Sequence, residues 1–179
     1  MDATVEKIAI LDFEASSLSE ASWPIEIGLS WLDHGEVRTW SSLIRPAPDW
    51  AIDDWSPQSA SVHGISLSEL MDAPSATEVA ETLFRVIGGR RLVSDAPEFE
   101  TRWLDRLLRA AGRPENPSVE DFDGASFAMF DGYALDLLYE TVERRPAPHR
   151  AGPDAARLAR GWLRASQHRA SLELERRTA

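Results

Sequence analysis

Ile8-Ala9-Ile10-Leu11 is an apolar run that passes without a break into Asp12-Phe13-Glu14. A run of this length and composition reads as a buried β-strand. Side chains alternate across a strand, so Asp12 and Glu14 project from one face while Phe13 points to the other. The chain is thus committed to a buried strand that ends with two carboxylates emerging side by side.

Two more strands are expected, from about Ile25 to Leu32 and from about Val37 to Ile44, joined by the turn-forming Asp33-His34-Gly35. A loop containing Pro and Trp, Arg45 to Pro57, leads to a short helical stretch that ends at Val62-His63-Gly64-Ile65. Val79, Ala80, Leu83, Phe84 and Ile87 recur at helical spacing, which predicts a helix over Ala76 to Ile87 that Gly88-Gly89 stops. Arg91-Leu92-Val93-Ser94 reads as a short buried strand. A helix follows from about Pro97, with Phe99, Trp103, Leu104, Leu107, Leu108 and Ala111 on one face. Gly112 to Gly124 reads as a loop, Ala125 to Met129 as a weak strand and Asp131 to Arg144 as a helix. The last helix is expected from about Asp154 and to fray over Glu175 to Ala179.

The 179 residues are enough for one well-buried core and too few to favour two domains, so a single domain over 1–179 is expected, with its core at about 5–165. There is no cysteine, which excludes disulfides and thiolate metal sites. No apolar run approaches 18 residues and the first residues do not read as a signal peptide, so a cytoplasmic protein that does not enter a membrane is expected. The net charge of -11 argues against coating nucleic acid through a general basic field. The charge is uneven, however. Residues 1–143 hold 10 basic and 27 acidic groups, net -17, whereas 144–179 hold 9 and 3, net +6. The basic end is also the end that carries His149 and Asp154. It offers either an approach for a negative substrate or a solvated helix face.

Clustered carboxylates suit hard divalent cations, which take a few oxygen ligands and leave positions open for water and phosphate. Two such cations roughly 3.5–4 Å apart can serve opposite sides of a scissile phosphate. A histidine nearby is suited to take a proton from water. Asp12 and Glu14, with His149 five residues before Asp154 in His149-Arg150-Ala151-Gly152-Pro153-Asp154-Ala155 and Leu158 beyond, bring these residue types together. This pattern resembles the histidine subtype of the DEDD exonucleases, the group of DnaQ-like and RNase T-like enzymes. Val62-His63-Gly64-Ile65, then Ala73-Pro74 and Val79, is a supporting match. The tyrosine subtype would place Tyr where this chain has Arg150.

The resemblance implies an α/β, RNase H-like fold with a mixed sheet of about five strands flanked by helices. It also implies two divalent cations, Mg²⁺ or Mn²⁺, and stepwise release of nucleoside monophosphates from the 3′ end of single-stranded DNA or RNA. In its terms Asp12 bridges both metals, Glu14 and Asp154 complete one site, and His149 is the base. The middle acid departs from the family pattern. Family members carry His-Asn-Ala-x-Phe-Asp, and the corresponding run is Asp95-Ala96-Pro97-Glu98-Phe99-Glu100, followed by Trp103-Leu104. Phe99, Trp103 and Leu104 set a register that puts Glu100 at the metal-binding position. Asp95 is the alternative acid, or the N-cap of a capping box with Glu98.

Where the family often has Thr-Thr-Gly-Leu, this chain has Ala15-Ser16-Ser17-Leu18. By that match Ser16 keeps a hydroxyl for the terminal nucleotide and Leu18 wedges against its base. His63 either contacts the same nucleotide or caps a local turn. Of the seven tryptophans, Trp31 and Trp40 fall in strands, Trp103 and Trp162 on apolar helix faces, and Trp50 and Trp55 in a loop where bases could stack on them. On the last helix Arg157, Arg160 and Arg164 lie opposite Ala155, Ala159 and Trp162, and Arg157 either touches phosphate or pairs with Asp154. The rival to an enzyme is a binding module that keeps the fold without the activity. Homodimer or larger assembly, and DNA or RNA, stay open.

Overall fold

The computed structural model describes residues 4–113 and 117–178. A 3₁₀ turn leads into β1 (Ile8–Ala15), β2 (Pro24–Asp33) and β3 (Glu36–Leu43). Two short helices, α1 (Pro57–His63) and α2 (Leu67–Met71), precede α3 (Ala76–Ile87), β4 (Arg91–Ser94) and α4 (Pro97–Ala110). The chain ends with β5 (Val119–Asp121), α5 (Phe122–Met129), α6 (Gly132–Glu143) and α7 (Ala151–Thr178). The strands form one sheet in the order β3-β2-β1-β4-β5. β1, β2 and β3 pair antiparallel, while β1, β4 and β5 pair parallel, so the sheet is mixed. This is the five-stranded, helix-flanked architecture expected from the sequence.

Period-two alternation in β1 sorts the interior into two layers. Ala9, Leu11, Phe13 and Ala15 join a cluster with Val79, Leu83, Trp103, Leu104 and Leu107 from α3 and α4. Ile8 and Ile10 point the other way, into a cluster with Phe122, Leu138, Leu158, Ala159 and Trp162 from α5, α6 and α7. Asp12 and Glu14 continue the row of Ile8 and Ile10, and therefore lie under α7.

Several boundaries differ from the sequence expectation. The fifth strand is Val119–Asp121, inside the expected loop, and the expected strand at Ala125–Met129 is part of helix α5. The reason is local: the Asp121 carboxylate accepts the Gly124 N–H at 2.6 Å, an N-cap that starts the helix there. Residues 114–116 of that loop lie outside the described residues. The capping box at Asp95 does not form. Ala96 is the N-cap of α4, without a side-chain cap, and Ser94 Oγ accepts the Ala96 N–H instead. α7 begins three residues earlier than expected and stays helical through Thr178, beyond the point where fraying was expected; Ala179 lies outside the described residues.

The first turn of α7 crosses the sheet at unusually short range. A Cβ on Gly28 would lie 2.2 Å from the Ala151 carbonyl carbon and 2.3 Å from its oxygen, and one on Gly152 would lie 2.9 Å from Ser41 Cβ. Gly28 is the register partner of Asp12, so this crossing sits beside the first carboxylate. Backbone has replaced side chain at the contact, and no rotamer can relieve an added methyl. Gly28→Ala is therefore expected to cost about 3 kcal/mol or more. That corresponds to a fall of roughly 6–12 °C in Tm, readable by thermal denaturation. An unchanged Tm would refute the close crossing.

Candidate active site

β1 supplies Asp12 and Glu14, and the crossing of α7 brings Asp154 down beside them. One carboxylate oxygen from each of the three lies within 4.8 Å of the others. Residues 142 positions apart in sequence thus make one acidic cluster. Asp154 is held by its own helix end: Asp154 Oδ2 accepts the Arg150 N–H at 3.0 Å, and the Asp154 N–H donates to the Arg150 carbonyl at 2.9 Å. Its other oxygen, Oδ1, is buried without a hydrogen bond, with Arg157 Nε 3.6 Å away.

Glu26 fixes this arrangement from beneath. Its carboxylate is 3% exposed and takes a bidentate pair from Arg150, Nε at 2.9 Å and Nη2 at 2.8 Å. The Ala151 N–H donates to the same carboxylate at 3.0 Å. Such a fork combines charge with fixed geometry, and a carboxylate at a helix N-terminus also faces the positive end of the helix dipole. Sequence reasoning did not single out either partner. The available signal was a charge inside an apolar strand, Ile25-Glu26-Ile27, because a buried acid requires a partner.

Glu100 approaches from the first turn of α4. It is 3% exposed, faces the backbone N–H of Phe13, which favours its charged form, and leaves Oε2 buried without a hydrogen bond. The paired part of β4 stops opposite Ile10, which leaves the β1 backbone beyond it free for this contact. Burial, then the charges of Asp12, Asp95 and Glu14, push the Glu100 carboxyl well above its usual range. Asp12 is raised well above its usual value by burial and by Glu14, Asp154, Asp95 and Glu26 in that order. Asp95 is exposed yet borders the cleft; desolvation raises its pKa against the opposing charge of Arg157.

The cluster floors a cleft of about 480 Å³. His149 borders it from the loop before α7, exposed and in a left-handed conformation with φ of 54°. Leu18 stands at the rim, 74% exposed. His63 lies in the wall, buried at the C-terminal end of α1. Its Nδ1 accepts the Ile65 N–H at 3.0 Å, which leaves Nε2 to carry the proton of the neutral ring, and that atom is buried without a partner. Burial and then Arg150 lower the His63 pKa, keeping the ring neutral. His63 therefore caps its turn through one nitrogen and keeps a donor free on the other.

Two expectations are corrected. Ser16 is fully buried and its hydroxyl accepts the Trp23 N–H at 3.0 Å, so the structure takes it out of the cleft. The neighbouring Ser17 borders the cleft instead, donating to Asp54 at 2.6 Å. Trp50 and Trp55 are not free base platforms. Trp50 stacks on Trp23 at 5.9 Å, and Trp55 packs between Trp23 and the edge of His63, each also at 5.9 Å. The extra tryptophans support the histidine wall.

The donor set fits divalent cations: hard carboxylate oxygens converge, two of the buried oxygens lack a hydrogen bond, and protons accumulate where a cation would neutralise the charge. Glu14 shows the consequence most directly. Burial, Asp154 and Glu26 raise its pKa from 4.5 to about 7 against the opposing charge of Arg150. Between those two values the folded state holds a proton that the unfolded chain has released. Stability of the metal-free protein should therefore fall as pH rises through that window and level off above about 7. Mg²⁺ or Mn²⁺ replaces the proton, so its gain in Tm should grow over the same window. A metal-induced Tm shift independent of pH between 5 and 8, read by differential scanning fluorimetry, would count against this electrostatic reading.

The exonuclease family profile matches residues 9–160, most of the chain. No curated protein matches the sequence. Among solved structures, the nuclease domain of 3′hExo, described as a DEDDh family member bound to rAMP, is similar at 18% identity and TM-score 0.70, over 94% of this chain and 95% of that one. The 3′-exonuclease that recognises the histone mRNA stem-loop is similar at 18% identity and TM-score 0.65, over 90% and 81%. The zinc-bound ExoI–ssDNA complex of E. coli is similar at 15% identity and TM-score 0.65, over 93% of this chain but only 42% of that protein. Identity at this level speaks for a shared fold, whereas the profile spans both ends of the acidic cluster; the chain belongs to the exonuclease family, hydrolases of nucleic-acid phosphodiester bonds.

Proposed function

We propose that the protein is a 3′-to-5′ exonuclease that removes nucleoside monophosphates from single-stranded DNA or RNA with two divalent cations, Mg²⁺ or Mn²⁺. The observation that carries this reading is the convergence of Asp12, Glu14 and Asp154 within 4.8 Å at the floor of a cleft bordered by His149. Asp12 and Glu14 with Asp154 would hold one cation, and Asp12 with Glu100 the other. When bound, the cations polarise the scissile phosphate and lower the pKa of water. His149 reaches the cleft from outside the carboxylate cluster, where a base can take a proton without competing for metal. In this reading Leu18 at the rim wedges against the terminal base, and the Nε2–H of His63 donates to the same nucleotide.

Glu100 is the middle acid in this proposal. Its carboxylate is buried and repelled by Asp12, whereas Asp95 is exposed and its charge is favoured by Arg157. Glu100→Gln keeps an acceptor for Phe13 and removes the repulsion with Asp12. The variant should match or exceed the wild-type Tm without metal and lose activity by roughly 10²–10³-fold. Asp95→Asn should keep most activity; the reverse result would transfer the role to Asp95.

The direct assay incubates 5′-labelled DNA and RNA oligonucleotides with Mg²⁺ or Mn²⁺. A ladder of products shortened from the 3′ end is expected, lost in Asp12→Ala and reduced about 10²–10⁴-fold in His149→Ala. No product with either cation would leave the non-catalytic binding module as the better reading.

A further inference from the structure

Beyond the cleft, a second groove of about 430 Å³ lies on the other side of the His149 loop. The loop has two sides: Ala147 and His149 face the cleft, while Arg145, Pro146 and Pro148 face the groove. α7 is shared in the same way, with Asp154 toward the cleft and Arg160 toward the groove. Arg157 borders both. The far wall carries Thr39 and Ser41 from β3. A chain leaving the cleft over this narrow ridge would meet a cationic surface.

Charge makes the groove distinctive. Its lining holds three arginines and no acid, whereas the basic groove at Arg90 and Arg91 includes Glu6 and the one at Arg102 and Arg106 includes Asp49 and Asp105. Arg145 and Arg160 are exposed, and neither has a carboxylate within 4.0 Å among the described residues. Arg157 and Arg160 lie about 4.5 Å apart along the helix axis, so their positive charges run from the cleft edge into the groove. In a chain of net charge -11, a groove beside the cleft that is lined by cations and no acid attracts anions.

We propose that this groove binds a backbone phosphate of the substrate strand upstream of the nucleotide held in the cleft, with Arg145 and Arg160 as its cationic contacts. The proposal rests on the exonuclease reading and adds to it where the rest of the strand goes. It explains how a protein with an acidic body can hold a polyanion: the carboxylates receive cations, and the strand leaves toward the basic side of α7.

The test uses the double variant Arg145→Ala/Arg160→Ala, both positions exposed and outside the cleft. The p-nitrophenyl ester of thymidine 5′-monophosphate occupies only the cleft, and a 12-nucleotide single strand also reaches the groove. The double variant should cleave the ester within about twofold of wild type. On the 12-mer, kcat/KM should fall on the order of tenfold, mainly through KM. The slope of log KM against log salt should become shallower by about 0.7, the value for one lost phosphate contact on a single strand. Equal losses on both substrates, or no loss on the 12-mer, would overturn the proposal. If wild type cleaves neither substrate, the exonuclease reading fails, and anisotropy of a fluorescent 12-mer without divalent cation decides the groove separately. Roughly tenfold weaker binding by the double variant supports it; unchanged binding, or displacement of the 12-mer by inorganic phosphate at equal phosphate concentration, overturns it.

Discussion

The close crossing of α7 over β2 is the constraint on which the site depends. Gly28 and Gly152 let backbone meet the sheet at a distance no side chain permits, and Glu26 takes Arg150 and the Ala151 N–H to hold the helix end there. Asp154 and His149 then sit on either side of a fixed point, one inside the helix and one on the loop leading to it. The left-handed conformation of His149 belongs to the same turn of chain. Positioning comes from groups that never touch the cleft.

The cluster so assembled is electrostatically unfavourable as a bare protein. Burial and mutual repulsion raise Asp12, Glu14 and Glu100, and two buried carboxylate oxygens have no hydrogen bond. A fold carries such a cost where another group relieves it, and cations relieve it more fully than protons do. The two apolar layers on either side of the sheet supply the stability against which this strain is held. Stability and site are therefore separated in space: core above and below the sheet, charge at the C-terminal end of β1.

The order of strands and helices was largely legible because periodicity reports burial. β1, β2, α3 and α4 each bury an apolar set, whereas β3 buries none of its residues and is marked by the turn residues before it. β5 and α5 were misread for the opposite reason: three strand residues carry no usable pattern, and the cap at Asp121 outweighs the apolar content of Ala125–Met129. Among the residues read for the site, strand alternation pairs Asp12 with Glu14 and the resemblance marks His149 and Asp154, whereas Ser16 turns inward. Its hydroxyl was wanted by the Trp23 N–H, a partner seven residues away across the turn between β1 and β2.

What the sequence by itself determined is the set of groups and their local directions. Alternation puts Asp12 and Glu14 on one face of β1, and helical spacing puts Arg157 and Arg160 along one side of α7. Only the tertiary structure decided which distant groups meet: Glu26 with Arg150, Glu100 with the Phe13 N–H, and Asp154 with the β1 pair. The physical reason is that local preference acts over a few residues. These meetings depend on where the backbone can approach without a Cβ and on which buried charge must find a partner across the sheet.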